Sequence, residues 1–267
     1  AITALRFGDI YTARDALKAV PLDMRDSMSY RRVVAFYAMI EGNGGTAEDV
    51  LSSVMKDDSG EGVRLAYASV RMSNPNPAIA ASARQELAGM AENPALAGAA
   101  LRQLAGDAIQ RKDSAAARTW MDRLLKLPNA KYGDQLTMAS LLIFGEHRSL
   151  DELLGPLQEK AKGNPINLAD LVRWLIGQRQ LERARTVVDG LPNDIKDTFM
   201  IKEVRLELAV AQSDWAAVGE LLRQGTLGPV PDVALRMAME SRNVGEISGE
   251  KARLEHFLRR DRDQVEG

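Results

Sequence analysis

Cysteine is absent from this 267-residue chain, and histidine occurs only twice. A disulfide framework and thiolate zinc or iron–sulfur sites are therefore excluded. Aromatic residues make up 5% of the sequence, and the alternating β-branched stretches that favour strands are missing. No apolar run reaches the ~18–20 residues of a membrane span. The 35 basic and 37 acidic residues give a formal charge of −2, which provides no positive field to attract nucleic acid. We therefore expect no membrane insertion by this segment and no nucleic-acid partner.

Strong helix formers dominate what is present, namely alanine, leucine, arginine, glutamate and methionine. Two short segments resemble each other, ARDALKAVP at 13–21 and ARTVVDGLP at 184–192. A third copy at 117–128, ARTWMDRLLKLP, carries extra residues. Proline cannot continue the helical hydrogen-bond ladder, so each segment is predicted to be a helix that its proline ends.

A polar turn precedes each segment, and its spacing predicts a repeat. We mark each repeat by a small-residue site, at Ala13, Ala47, Ala81, Ala117, Glu152, Ala184, Val218 and Ala252. The steps between markers are 34, 34, 36, 35, 32, 34 and 34 residues. A step of about 34 residues is the period of the tetratricopeptide repeat.

The helix upstream of each marker keeps an apolar stripe at i, i+3 and i+7, which lies on one helix face. The stripes are Leu65, Ala68 and Met72; Leu101, Leu104 and Ala108; Leu136, Ala139 and Ile143; and Leu168, Leu171 and Leu175. One helix pair cannot bury such a stripe alone, whereas stacked pairs bury it continuously.

These features make the chain resemble the tetratricopeptide repeat family over roughly residues 5–260. The family's alanine site is matched at Ala13, Ala117 and Ala184. The resemblance implies an all-α fold, a right-handed α-solenoid of stacked antiparallel helix pairs with about seven repeats. It also implies one repeat domain over residues 1–267.

The repeats depart from the family pattern at several sites, so they are degenerate. Leucine replaces the early aromatic, and the first-helix glycine is replaced by Ser69, Ala105, Ser140 and Val172. A related helix-pair solenoid and a generic helical bundle remain as alternatives.

Both ends carry expectations of their own. Residues 2–7 are predicted to be the end of a helix whose beginning is missing, so we expect a truncated first repeat and a longer parent protein. Residues 249–264 are predicted to form an amphipathic capping helix whose charged face would shield the last repeat.

Motifs for catalysis or cofactors are not found. His147 lies in a predicted turn and His256 in the terminal helix, 109 residues apart, with no second ligand near either. The glycine-rich stretch 42–46 lacks the lysine of a phosphate loop and is interpreted as a turn with Thr46 as N-cap. The acidic stretch 57–61 lacks the alternation of a calcium loop. We therefore predict no enzymatic activity, no metal site and no cofactor.

The resemblance implies a concave groove lined by first helices that binds a peptide or a partner protein. Carried over by register, its exposed positions are Arg102, Thr137, Leu141, Arg173 and Ile176. Because a guanidinium can hold a carboxylate through two parallel hydrogen bonds, Arg102 and Arg173 are predicted to contact an acidic group of the partner.

The favoured function is thus a protein- or peptide-binding scaffold. The alternative is an assembly module that self-associates through its solenoid ends, as the soluble part of a larger membrane-anchored or secreted bacterial protein. The composition is commonplace in bacteria. The sequence is compatible with a cytoplasmic location. It is equally compatible with a periplasmic location if a signal or anchor precedes Ala1.

Overall fold

The computed structural model describes residues 1, 2, 5 and 10–223. Every regular element within those residues is helical, and no strand is found among them. The capping helix predicted for 249–264, the marker Ala252 and His256 lie outside the described residues.

Fourteen α-helices occupy the described part of the chain. They are α1 (Ile10–Lys18), α2 (Met28–Ile40), α3 (Gly44–Asp57), α4 (Glu61–Arg71), α5 (Pro77–Met90), α6 (Ala97–Gln110), α7 (Ser114–Leu125), α8 (Tyr132–Glu146), α9 (Leu150–Ala161), α10 (Pro165–Gly177), α11 (Leu181–Asp189), α12 (Asn193–Lys196), α13 (Phe199–Ala211) and α14 (Trp215–Arg223). A short 3-10 helix, Leu22–Met24, joins α1 to α2.

The chain divides into two compact units, Ala1–Arg148 and Ser149–Gly267. In unit 1 each helix from α1 to α7 packs against the next one along the chain, so the series ends at α8. In unit 2, α10 packs against α9 and α11 and also against α13, and α13 packs against α14. The helices therefore pack in neighbouring pairs within each unit. The prediction of one domain over 1–267 stays a prediction.

The turn inside a helix pair has a recurring geometry. The first helices of four pairs, α2, α6, α10 and α13, are each followed by a residue with positive φ. These residues are Gly42, Lys112, Arg179 and Ser213. The next backbone N–H donates to the carbonyl five residues earlier at 2.9 Å. This is the hydrogen-bond pattern of the Schellman motif, which satisfies the carbonyls left free at a helix C-terminus. The turn after α8 is a wider variant, because the N–H that follows the left-handed His147 donates to the carbonyl six residues earlier.

Four left-handed positions in these turns carry a side chain, although glycine adopts this conformation without a Cβ clash. Lys112 has φ 58° and is exposed. We expect Lys112→Gly to raise the free energy of unfolding by about 0.5–1 kcal/mol, because it removes the left-handed strain. Urea unfolding measures the change. Lys112→Ala is the control, since it removes the long side chain but keeps the Cβ, and it should leave stability nearly unchanged. Equal effects of both substitutions would contradict the explanation.

The small-residue site is the fourth residue of the second helix in each pair. Ala13, Ala47, Ala117 and Ala184 occupy it with 0% exposure, as the repeat predicts, and Val218 occupies it with 5% exposure. Full burial leaves no room for a larger side chain at these alanines.

Two markers were wrong by one residue. Ala81 and Glu152 are exposed, and the fourth residues of α5 and α9 are instead Ala80, which is buried, and Leu153. The second helices in fact begin at 10, 44, 77, 114, 150, 181 and 215, which gives steps of 34, 33, 37, 36, 31 and 34. The step is still about 34 residues, but it varies more than the markers suggested.

The predicted helix ends are confirmed, and two of the four predicted apolar stripes are buried throughout. Pro21, Pro128 and Pro192 each lie three residues after the last residue of a helix. The stripes Leu101–Leu104–Ala108 and Leu168–Leu171–Leu175 are buried. One core cluster, which we call the core cluster of unit 1, contains residues from each of the helices α4 to α8. Its largest fully buried members include Leu87, Leu101, Met121 and Leu124.

Candidate functional site

The first helices α6 and α8 of unit 1 are joined by an ion pair that involves one of the predicted site residues. Arg102 donates from Nε and Nη2 to the two carboxylate oxygens of Asp134, at 2.8 and 2.7 Å. The backbone N–H of Lys131 also donates to Asp134, at 2.7 Å. The side chain of Asp134 is only 9% exposed, whereas that of Arg102 is 30% exposed. Arg102 is therefore already engaged with a carboxylate of its own chain.

The pKa of Asp134 reflects these contacts. Burial alone would raise the pKa of Asp134, but the hydrogen bonds from Arg102 and from the Lys131 N–H outweigh it and leave the pKa below its ordinary value. The carboxylate is thus held ionised where it joins α6 to α8.

Thr137 and Leu141 follow Asp134 along the same face of α8. The Thr137 hydroxyl donates to the Gly133 carbonyl at 3.0 Å, and Leu141 is partly buried against the core cluster of unit 1. Of these residues, Arg102 joins α6 to α8, whereas Thr137 bonds within α8 and Leu141 packs against the core cluster of unit 1.

Arg173 lies on α10 in unit 2 and also has internal partners. Its Nε donates to both carboxylate oxygens of Glu207 at 2.9 and 3.0 Å, and its Nη2 donates to Glu203 at 2.7 Å. Ile176 is partly buried one turn further along α10. Both predicted arginines are thus paired within the chain, and their contact with a partner stays a prediction.

A groove that the sequence reasoning missed lies between the first helices α2 and α4. It has a volume of about 380 Å³. Phe36 and Met39 of α2 line one side, and Val63 and Ala66 of α4 line the other. Phe36 is 43% exposed, so part of its ring is accessible beside the concavity.

Other features of the groove concern its base and its edge. The buried side chains of Ala35 and Leu51 form its base. Arg32 and Asp58 lie at its edge and pair with each other. A Cβ built on Gly62 would meet no atom within 4 Å, so this side of the groove is open.

The turns give Phe36 the same register on its helix as two of the predicted site residues. Phe36 lies six residues before the left-handed Gly42, as Leu141 lies six residues before His147 and Arg173 six before Arg179. The apolar stripes that predict the repeat begin only with α4. No site residue was therefore predicted on α2, where Phe36 lies.

The remaining sequence features have structural roles. His147 is exposed in the turn after α8. Thr46 is not the N-cap of α3, because the helix begins at Gly44 and the Asn43 side chain accepts from the Thr46 N–H at 3.2 Å. Asp58 accepts from the Gly60 N–H at 2.8 Å in the acidic turn. Among the described residues no group of three or more His, Cys, Asp or Glu side chains is placed so that it could hold a metal ion, and none of the helices there is both long and apolar enough to span a bilayer.

Comparison with known proteins gives no match: no protein-family model, no curated protein and no solved structure is significantly similar to this chain.

Proposed function

We propose that this chain is a tetratricopeptide-like scaffold that binds a segment of a partner protein on the face formed by its first helices. In this proposal the helix pairs stack into a right-handed solenoid of about seven repeats. The observation that supports binding is the apolar groove between α2 and α4, with Phe36 exposed at its side. Large apolar surface left accessible beside a concavity is typical of ligand and partner sites.

The chemistry of the groove favours an apolar anchor. Its sides are formed by Phe36, Met39, Val63 and Ala66, whereas its charged residues Arg32 and Asp58 already neutralise each other. The proposed occupant is a peptide segment that inserts one or two large aliphatic or aromatic side chains. The lack of a side chain at Gly62 leaves space for the peptide to approach α4.

Binding can be tested with a displayed library of random 12-residue peptides on the full chain. We expect the selected peptides to share a large apolar residue. In titrations with the best selected peptide, Phe36→Ala should weaken affinity by about tenfold or more, because it removes the main exposed contact of the groove. Phe144→Ala is the matched control, since Phe144 is 69% exposed on α8, away from the groove residues. It should bind as the unchanged chain does.

A second pair of variants tests the groove by filling it. Gly62→Phe places a ring on a side of the groove where a Cβ meets no atom within 4 Å, and it should abolish peptide binding without unfolding α4. Gly133→Phe is the control at the same position of α8, the second residue, where a Cβ also meets nothing within 4 Å. Full affinity in Gly62→Phe would place the binding site elsewhere. Failure to select any peptide, with a mass that rises with concentration, would favour the assembly role instead.

A further inference from the structure

A cluster of four charged residues joins α10 to α13 in unit 2. Glu203 and Glu207 lie one turn apart on α13, and both bind Arg173 of α10. Asp170 lies one turn before Arg173 on α10 and interacts with it electrostatically. The cluster therefore sets three carboxylates against one guanidinium, a formal excess of two negative charges.

Carboxylates one turn apart on a helix repel each other, and partial burial strengthens that repulsion. The side chains of Glu203 and Glu207 are 25% and 24% exposed, so water screens them only in part. Arg173 can neutralise one negative charge at most. The contact between α10 and α13 therefore keeps an unrelieved electrostatic cost as long as all three acids are ionised.

Three other basic groups near α13 have partners outside the cluster. Arg185 of α11 donates to Gln212, beyond the end of α13. Lys196 of α12 donates to the Asp189 carbonyl, and Lys202 of α13 pairs with Asp197. On α9, Asp151 pairs with Arg183 of α11. The charged groups that act on Glu207 are Arg173 and Glu203.

We propose that this cluster makes the α10–α13 contact proton-dependent, so that proton uptake at Glu207 and Asp170 stabilises unit 2 as the solution becomes mildly acidic. Uptake of one proton at each of these residues removes the excess of two negative charges. Arg173 keeps its hydrogen bonds to both glutamates, because a protonated Glu207 still offers its carbonyl oxygen as an acceptor.

The directions of the pKa shifts in this cluster agree with the proposal. Burial raises the pKa of Glu207, and the negative charge of Glu203 raises it further. Arg173 lowers the pKa of Glu207, but the net pKa still lies above the ordinary 4.5. Burial also raises the pKa of Asp170, again against Arg173. A group whose pKa is raised by folding binds protons more tightly in the folded state. Stability therefore increases as the pH falls through the folded-state pKa, and the gain is complete below the unfolded-state pKa.

The test uses the full chain carrying Trp120→Phe. Both remaining tryptophans, Trp174 and Trp215, then lie in unit 2, so fluorescence follows that unit. Urea midpoints are measured at pH 7.5 and pH 5.0. Relative to this reference chain, Asp170→Asn/Glu207→Gln should lose the acid-induced gain in midpoint. Glu159→Gln is the matched control, because Glu159 is 75% exposed in the same unit, and it should keep the gain.

An identical pH response in the reference chain and in the double variant would overturn the proposal. Carboxyl-carbon NMR titration of the unsubstituted chain provides an answer even where the double variant fails to fold. A Glu207 titration midpoint above the ordinary 4.5 is the expected result, and a midpoint at or below that value would also overturn the proposal.

Discussion

Replacing Leu124 by alanine is expected to lower the free energy of unfolding by about 3–5 kcal/mol. Leu124 has 0% exposure and lies near the end of α7, within the core cluster of unit 1. Its neighbours in that cluster include Leu87 of α5 and Leu101 of α6. Truncation removes the transfer free energy of the side chain and leaves a cavity that helices held on several sides cannot close.

Urea unfolding of a reference chain that carries Trp174→Phe and Trp215→Phe measures this loss through the fluorescence of Trp120, because Trp120 packs against the same cluster. Leu22→Ala provides the control. Leu22 is 78% exposed, so its truncation should change stability by no more than about 0.5 kcal/mol. Similar small costs for the two substitutions would contradict the placement of α7 in the core.

The all-helical class and the helix ends were predictable because they depend on local chemistry. Proline disfavours the continuation of a helix whatever the tertiary structure, so Pro21, Pro128 and Pro192 marked three helix ends, although Pro156 is accommodated inside α9. The buried alanines were predictable for a different reason. In every helix pair the same position packs closely against a neighbouring helix, so only a small residue fits there. That small residue therefore recurs along the sequence at a near-constant spacing.

The register errors arose where the turns differ. The turn before α5 is built on Asn74-Pro75-Asn76, without the positive-φ residue of the other turns, so the marker at Ala81 slipped. The turn before α9 has an extra residue between the left-handed His147 and the N-cap Ser149, which displaced the marker at Glu152. A constant period cannot anticipate such single-residue differences in a loop.

The partners of the two arginines could not be predicted without the correct register. Asp134 follows Arg102 by 32 residues and Glu207 follows Arg173 by 34. Opposite charges one repeat apart on successive first helices are therefore a usable signal. It becomes visible only when the helices are aligned on their turns, because many other acids lie at neighbouring spacings.

The Arg102–Asp134 pair leads to the second large prediction. Arg102→Ala should lower the free energy of unfolding by about 2–4 kcal/mol, because it leaves the nearly buried Asp134 charged with only the Lys131 N–H as partner. The pKa of Asp134 is lowered in the folded chain, so its contribution is present above the ordinary 3.8 and is lost as the pH falls through the folded-state pKa. Acid unfolding of the variant should therefore show a weaker dependence on pH.

A double-mutant cycle separates the pair from the rest of the contact. Once Arg102 is alanine, Asp134→Ala should cost little more, since the stranded carboxylate is removed together with its desolvation cost. Additive costs of the two single substitutions would mean that the pair is not coupled.

A related measurement decides whether the arginines bind a partner. Because Arg102 and Arg173 each join two helices of their own unit, the Arg102→Ala/Arg173→Ala variant should lose stability in both units. Loss of a partner by that variant would then reflect weakened helix contacts as readily as a lost binding site. The informative quantity is peptide affinity at a temperature where the variant is fully folded. Affinity that stays unchanged there assigns the arginines to the fold, whereas a loss of about tenfold or more in the folded variant would restore them as carboxylate receptors.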